Sequence, residues 1–74
     1  MTTEEQKYLY NLGRNIAKYR KLSNMTQLDV CAEINMERNN LSAIENGRQN
    51  VTTLTLYKIA KAINIDIQLF FNAD

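Results

Sequence analysis

A chain of 74 residues, 45% hydrophobic, with no proline and only two glycines, has the makings of one small folded helical domain and not of a disordered segment. With no histidine and a single cysteine, Cys31, it cannot build a histidine general base, a histidine-ligated zinc site or an intramolecular disulfide. The net charge is +1, low for a nucleic-acid binder, but it is unevenly spread: residues 1–24 carry Lys7, Arg14, Lys18, Arg20 and Lys21 against Glu4 and Glu5, a balance of +3, and residues 25–74 a balance of −2.

Residues 3–22 are expected to form a long first helix. Thr3 followed by Gln6 has the spacing of a capping box, and Glu4 and Glu5 suit the positive end of the helix dipole. Leu9, Leu12, Ile16 and Tyr19 recur every three or four residues as one apolar stripe. Ser23-Asn24 should end this helix, with Asn24 suited to a left-handed C-cap position. Thr26 is a good N-cap for a second helix reaching about Ile34, whose apolar residues are Leu28, Val30, Cys31 and Ile34. Asn35 stands where the chain must turn sharply, and asparagine is the non-glycine residue that best tolerates a left-handed backbone. A third helix is expected over about 37–46, with Leu41 and Ile44 inward and Gly47 as its stop. After the polar Arg48-Gln49-Asn50, Thr52 or Thr53 can cap a fourth helix through Ile63, with Leu56, Ile59, Ala60 and Ile63 inward, and Asn64 stops it. Asp66 can cap a short fifth helix over 67–71. The expected fold is all-α: a compact five-helix domain spanning 1–74, with a helix-turn-helix over about 26–46.

No apolar run approaches the ~18 residues of a membrane span. The acidic, polar start Met1-Thr2-Thr3-Glu4-Glu5 is unlike a signal peptide, so the expected compartment is the cytoplasm.

Residues 26–47 resemble the helix-turn-helix of the phage repressor and Cro-like (Xre) family. The resemblance rests on Thr26-Gln27 opening the second helix, the small Cys31 where two helices would cross, the turn residue Asn35, and then Ser42, Ile44, Glu45 and Gly47. It extends outward through Leu12-Gly13, Ile16 and Arg20 on one side and Leu56, Ile59-Ala60, Ile63, Ile65 and Phe70 on the other. Three positions depart from the family pattern: Asn35 replaces the usual turn Gly, Cys31 the usual Ala, and Val51 a frequent Pro. In size the chain is similar to stand-alone regulators such as restriction–modification controller proteins.

The resemblance implies a recognition helix exposing Glu37, Arg38, Asn39, Asn40 and Ala43 to base edges. Arg38 can pair with guanine and Asn39 with adenine in bidentate fashion, and Ala43 is small enough to admit a thymine methyl. Asn40 can reach a base edge or a phosphate; Glu37 can accept from cytosine or simply favour the helix N-terminus. The bland alternative for Asn39-Asn40 is polar surface. Gln27 is expected on a DNA phosphate, with Thr26, Arg48, Asn50 and Lys18 as further backbone contacts. The alternatives are a Gln27 that caps its own helix and a solvated 48–50 loop. Arg14, Lys18 and Lys21 on the first helix fit DNA or bulk solvent equally. The resemblance makes Arg20 and Glu45 a partly buried ion pair that orients the recognition helix. Cys31 is expected to be a small core residue. A helix cannot aim three consecutive residues at one core, so an inward Phe70 leaves Leu69 and Phe71 for a dimer contact over about 64–72, joined by Tyr57 or Leu54; the alternative is a frayed apolar tail.

The function so implied is a sequence-specific transcriptional regulator that binds double-stranded DNA as a homodimer on a pseudo-palindromic operator, with recognition helices ~34 Å apart. No cofactor, metal, membrane or small-molecule ligand is expected. A second reading is an antitoxin or adaptor that uses the same fold to hold a protein; such a module has no need of Gln27, Arg38 and Asn39 together. Catalysis is the weakest reading: Asp29 and Glu33, four apart on a helix, are an ordinary solvated pair.

Overall fold

Side-chain caps set the helix starts. In the computed structural model, which describes residues 1–72, Thr2, Thr26 and Thr52 each sit in extended backbone and accept from the amide three residues on. They open α1 (Thr3–Leu22), α2 (Gln27–Ile34) and α4 (Thr53–Ala62). Between α2 and α4 lies α3 (Arg38–Glu45), whose N-cap Glu37 makes no side-chain cap bond. Ala73 and Asp74, part of the expected domain, lie outside the described residues.

One helix start and the type of the last element differ from expectation, while α2 opens at Thr26 as expected. The capping box of α1 is Thr2 with Glu5, not Thr3 with Gln6: the Glu5 carboxylate accepts the Thr2 amide at 2.8 Å, a charge-assisted bond that a neutral Gln6 cannot match. The box of α2 pairs Thr26 with Asp29, whose carboxylate accepts the Thr26 amide at 2.8 Å. The fifth element (Ile67–Phe71) is a 3-10 turn, so the fold is four α-helices plus a 3-10 turn and not five helices. Five residues give too few i→i+4 bonds to favour an α-helix, and the Asp66 carbonyl takes the Leu69 amide three residues on instead.

The helix ends use asparagine. Asn24, Asn35 and Asn64 adopt φ of 59°, 55° and 60° after α1, α2 and α4. Its short polar side chain makes asparagine the least strained non-glycine residue in that region. Gly47 follows α3 with φ 70°, and a Cβ there would also overlap the backbone of Tyr10.

The core is one apolar cluster fed by every element: Leu12 and Ile16 from α1, Val30 and Cys31 from α2, Leu41 and Ile44 from α3, Leu56, Ile59 and Ala60 from α4, and Phe70 from the 3-10 turn. Leu28 is not part of it; with 64% exposure it points outward from α2. The turn is tied to α1 by Asn15, whose Nδ2 donates to the carbonyls of Phe70 at 2.9 Å and Asn72 at 3.0 Å. Ser23 Oγ ties the far end of α1 to the Ile63 carbonyl at 3.1 Å. Thus α1 forms a spine against which α3 and the C-terminal turn both pack.

Candidate nucleic-acid interface

Helix α3 has two unlike sides. Leu41, Ile44 and Glu45 are buried. Opposite them on a 3.6-residue helix fall Asn39, Ala43 and Asn46, with Arg38, Asn40 and Ser42 flanking. Arg38, Asn39, Asn40, Asn46 and the cap residue Glu37 are exposed. Ala43, expected to be exposed, is half-buried, as is Ser42. Asn46 is absent from the expected site set, yet it lies on the outward face and its Nδ2 donates to the Ser42 carbonyl at 2.8 Å. It falls within the expected third helix, and the period that turns Asn39 and Ala43 outward turns it outward too.

Glu45 anchors the inward side. Its carboxylate is 2% exposed and receives Arg20 Nε on Oε2 at 2.7 Å and Arg20 Nη2 on Oε1 at 3.0 Å. The fork geometry is that of a bidentate guanidinium–carboxylate pair. Arg20 also donates through Nη1 to the Met25 carbonyl at 2.9 Å, so its charge is well covered. Oε1 receives a third donor, Gln27 Nε2, at 3.0 Å. Glu45 therefore links the C-terminal half of α1, the start of α2 and the end of α3. Beside this cluster lies Cys31; burial pushes its thiol pKa up, and the Glu45 charge adds to the rise. Such a thiol stays protonated and inert.

The expected phosphate-contacting residues do not all gather in one place. Thr26 and Gln27 share a groove with Lys21, Leu28 and Arg38. Lys21 lines this groove, and Lys18 lies with its ammonium 5.3 Å from the Tyr19 ring centroid. Thr26 Oγ1 is occupied in the α2 capping box, and half-buried Gln27 spends one amide proton on Glu45 rather than capping its own helix. A primary amide keeps a second proton for another acceptor. Arg48 is exposed just past α3, its amide held by the Ala43 carbonyl. Asn50 borders a groove with Glu4 and Glu5, an anionic setting, and its Oδ1 accepts the Val51 amide at 2.9 Å. Arg14, left open between DNA and solvent by sequence, reaches the Glu45 carbonyl.

The apolar residues proposed for a dimer contact also divide. Phe70 is fully buried, Leu69 is half-buried and Phe71 is 49% exposed. Phe71 borders a groove against α1 with Tyr8, Asn11 and Asn15. Tyr57, 53% exposed, borders a different groove with Ile65 and Ile67, and its ring centroid lies 6.0 Å from Lys61 Nζ.

Among the described residues no group of histidine, cysteine or acidic side chains is arranged to hold a metal ion, and no helix is long and apolar enough to cross a membrane.

A model of a helix-turn-helix family matches residues 16–70. The chain is 37% identical over 54 residues to the HTH-type transcriptional regulator y4dJ of Sinorhizobium fredii, an alignment covering 73% of this chain and 70% of that protein. It is 33% identical over 61 residues to the control protein C.MunI of a Mycoplasma species, covering 81% and 82%. Its fold superposes with a TM-score of 0.76, at 31% identity, on the restriction–modification controller protein C.Esp1396I, solved as a tetramer in complex with its natural 35 base-pair operator; the match covers 86% of this chain and 84% of that one.

Proposed function

Because this chain belongs to the helix-turn-helix family, a family of DNA-binding regulators, we propose that it is a sequence-specific transcriptional regulator that occupies operator DNA in the cytoplasm as a homodimer. One observation carries the reading: α3 is pinned by its inward Glu45 while Arg38, Asn39 and Asn40 stand exposed along its outer side. A helix held this rigidly and bearing bidentate-capable side chains suits the major groove.

In this reading Arg38 and Asn39 make the bidentate base contacts, Asn40 and Glu37 flank them, and Ala43 meets a thymine methyl. Gln27 bridges, giving one amide proton to Glu45 and the other to a phosphate, with Thr26 and Arg48 supporting the same backbone. Lys18 and Asn50 are weaker phosphate candidates than Lys21, given their surroundings. Leu69, Phe71 and Tyr57 supply the apolar contact between two copies, and two recognition helices ~34 Å apart then read a pseudo-palindrome. The whole chain acts as one domain, and the chemistry is binding, without catalysis.

The test is selection from random duplex DNA by purified protein at about 150 mM salt, with an Arg38→Ala, Asn39→Ala double variant in parallel. The expected result is an enriched two-fold symmetric motif that the variant loses. A folded protein that enriches nothing, or that co-purifies with a tight protein partner in place of DNA, overturns the proposal in favour of a protein-binding module.

A further inference from the structure

The last four carbonyls of a helix have no partner within it and must find one elsewhere. In α3 the accounting closes. Ser42 O takes the Asn46 amide, Ala43 O takes the Arg48 amide, and Ile44 O takes the Gly47 amide. The final carbonyl, that of Glu45, is met by a side chain from another helix: Arg14 donates to it through Nε at 3.1 Å and Nη2 at 2.7 Å. A guanidinium there also lies at the negative end of the α3 dipole, where a cation is favoured.

The arrangement around Arg14 is built to hold it. Its guanidinium carbon stands 5.8 Å from the ring centroid of Tyr10, one turn earlier on α1. The preceding residue, Gly13, is where α1 and α3 meet backbone to backbone: a Cβ there would overlap the carbonyl oxygens of Ile44 and Glu45. Gly47 closes the same contact from the other side against the Tyr10 backbone. Glu45 is therefore gripped twice from α1. Arg20 holds its carboxylate, and Arg14 holds its carbonyl.

We propose that Arg14 is a positioning residue for sequence recognition: it fixes the C-terminal end of α3, and with it the tilt at which Arg38, Asn39 and Asn40 enter the groove. Leu41 and Ile44 seat α3 in the core. At its C-terminal end the ion pair restrains Glu45 through the side chain and the Arg14 fork restrains it through the backbone, which narrows the room that end has to shift. Arg14 itself touches no base and no phosphate. Its effect is on how well the outer side chains align with their bases, where a bidentate pair tolerates little misplacement.

This inference rests on the DNA-binding reading above, and the test separates the two. Operator affinity, affinity for a single-mismatch duplex, and the slope of log affinity against log salt are measured for wild type, Arg14→Lys, Arg14→Gln and, as a phosphate-contact control, Arg48→Ala. Circular dichroism confirms that each variant is folded. The positioning role predicts that both Arg14 variants lose discrimination between operator and mismatch by about fivefold or more, the worth of one base contact, with an unchanged salt slope. Lysine does not rescue, because a single ammonium lacks the planar fork. A slope shallower by about one unit in Arg14→Gln, with discrimination kept and with Arg14→Lys like wild type, makes Arg14 a phosphate contact and overturns the inference. Wild-type discrimination and slope in both variants overturn it as well, leaving a purely structural fork. A wild-type protein that does not distinguish operator from mismatch defeats the DNA-binding reading and the inference with it.

Discussion

Replacing Glu45 with alanine tests the anchor directly. The substitution removes three hydrogen bonds of 2.7, 3.0 and 3.0 Å and leaves the Arg20 guanidinium, buried among core residues, with only the Met25 carbonyl at 2.9 Å. Stranding one partner of a buried pair costs about 3–5 kcal/mol. One term opposes this: Glu45 is the last residue of α3, the wrong end of the dipole for an anion, and its removal returns ~0.3–1 kcal/mol. The Arg14 bonds go to the backbone and survive. The stranded charge wins, for a net loss of about 2–5 kcal/mol, against a total of roughly 4–11 kcal/mol expected for a chain of this length. Urea unfolding followed by circular dichroism at low temperature measures this, with the slope against urea unchanged. The paired variant Arg20→Met, Glu45→Leu removes both charges and should recover most of the loss, since apolar replacement of a whole pair is often neutral or better. A Glu45→Ala protein within about 1 kcal/mol of wild type would refute the buried-pair reasoning.

Three further outcomes are expected. Gly13→Ala should destabilise by about 1–3 kcal/mol or more, since its Cβ meets backbone oxygens that cannot move aside; a melting temperature equal to wild type would mean that α1 and α3 can separate freely. Asp29 has its pKa lowered, first by the Thr26 amide and then by the Thr26 hydroxyl. A depressed folded pKa gives stability that is present above the unfolded value and is lost as pH falls through the folded one. Asp29→Asn should therefore be less stable than wild type at pH 7 and converge on it below about pH 4, a convergence that thermal melts across the acid range would reveal or disprove. Phe71→Ser should weaken self-association by roughly 4- to 13-fold for each side chain lost, the worth of about half a buried phenylalanine, without lowering the melting temperature of the monomer. Sedimentation equilibrium checks this, and an unaltered association constant would move the dimer contact elsewhere, with the groove beside Tyr57 the next surface to test.

Local chemistry was legible in the chain, and a long-range polar contact was legible only where the family pattern supplied it. Thr26, Asn35, Gly47 and Asp66 announce their caps and corners because the donors and acceptors involved lie within a few residues. The α1 cap missed by one residue because Thr2 and Thr3 are both competent, and the carboxylate of Glu5 decides between them. The last helix read as α because cap spacing does not distinguish α from 3-10 in five residues. Arg20 and Glu45 were paired through the family pattern. Gln27 on Glu45, Arg14 on a carbonyl 31 residues away and Asn15 on carbonyls at the C-terminus carry no such signal, since any long polar side chain on an outer face reads as solvated until the fold brings its acceptor near. Ala43 reads as exposed from periodicity, and the fold leaves it half-buried.

The three asparagine corners bear on how such chains are found. At a left-handed position asparagine pays ~1 kcal/mol or more in strain, while glycine pays ~0.5–1 kcal/mol in lost chain freedom. The two costs are similar in size, so either residue can serve at such a corner. Asn35, φ 55°, is a turn of the same shape in a different alphabet. A search keyed to glycine between the two helices would pass over this chain. One keyed to the backbone angle, with asparagine and glycine read as synonyms, would recover it.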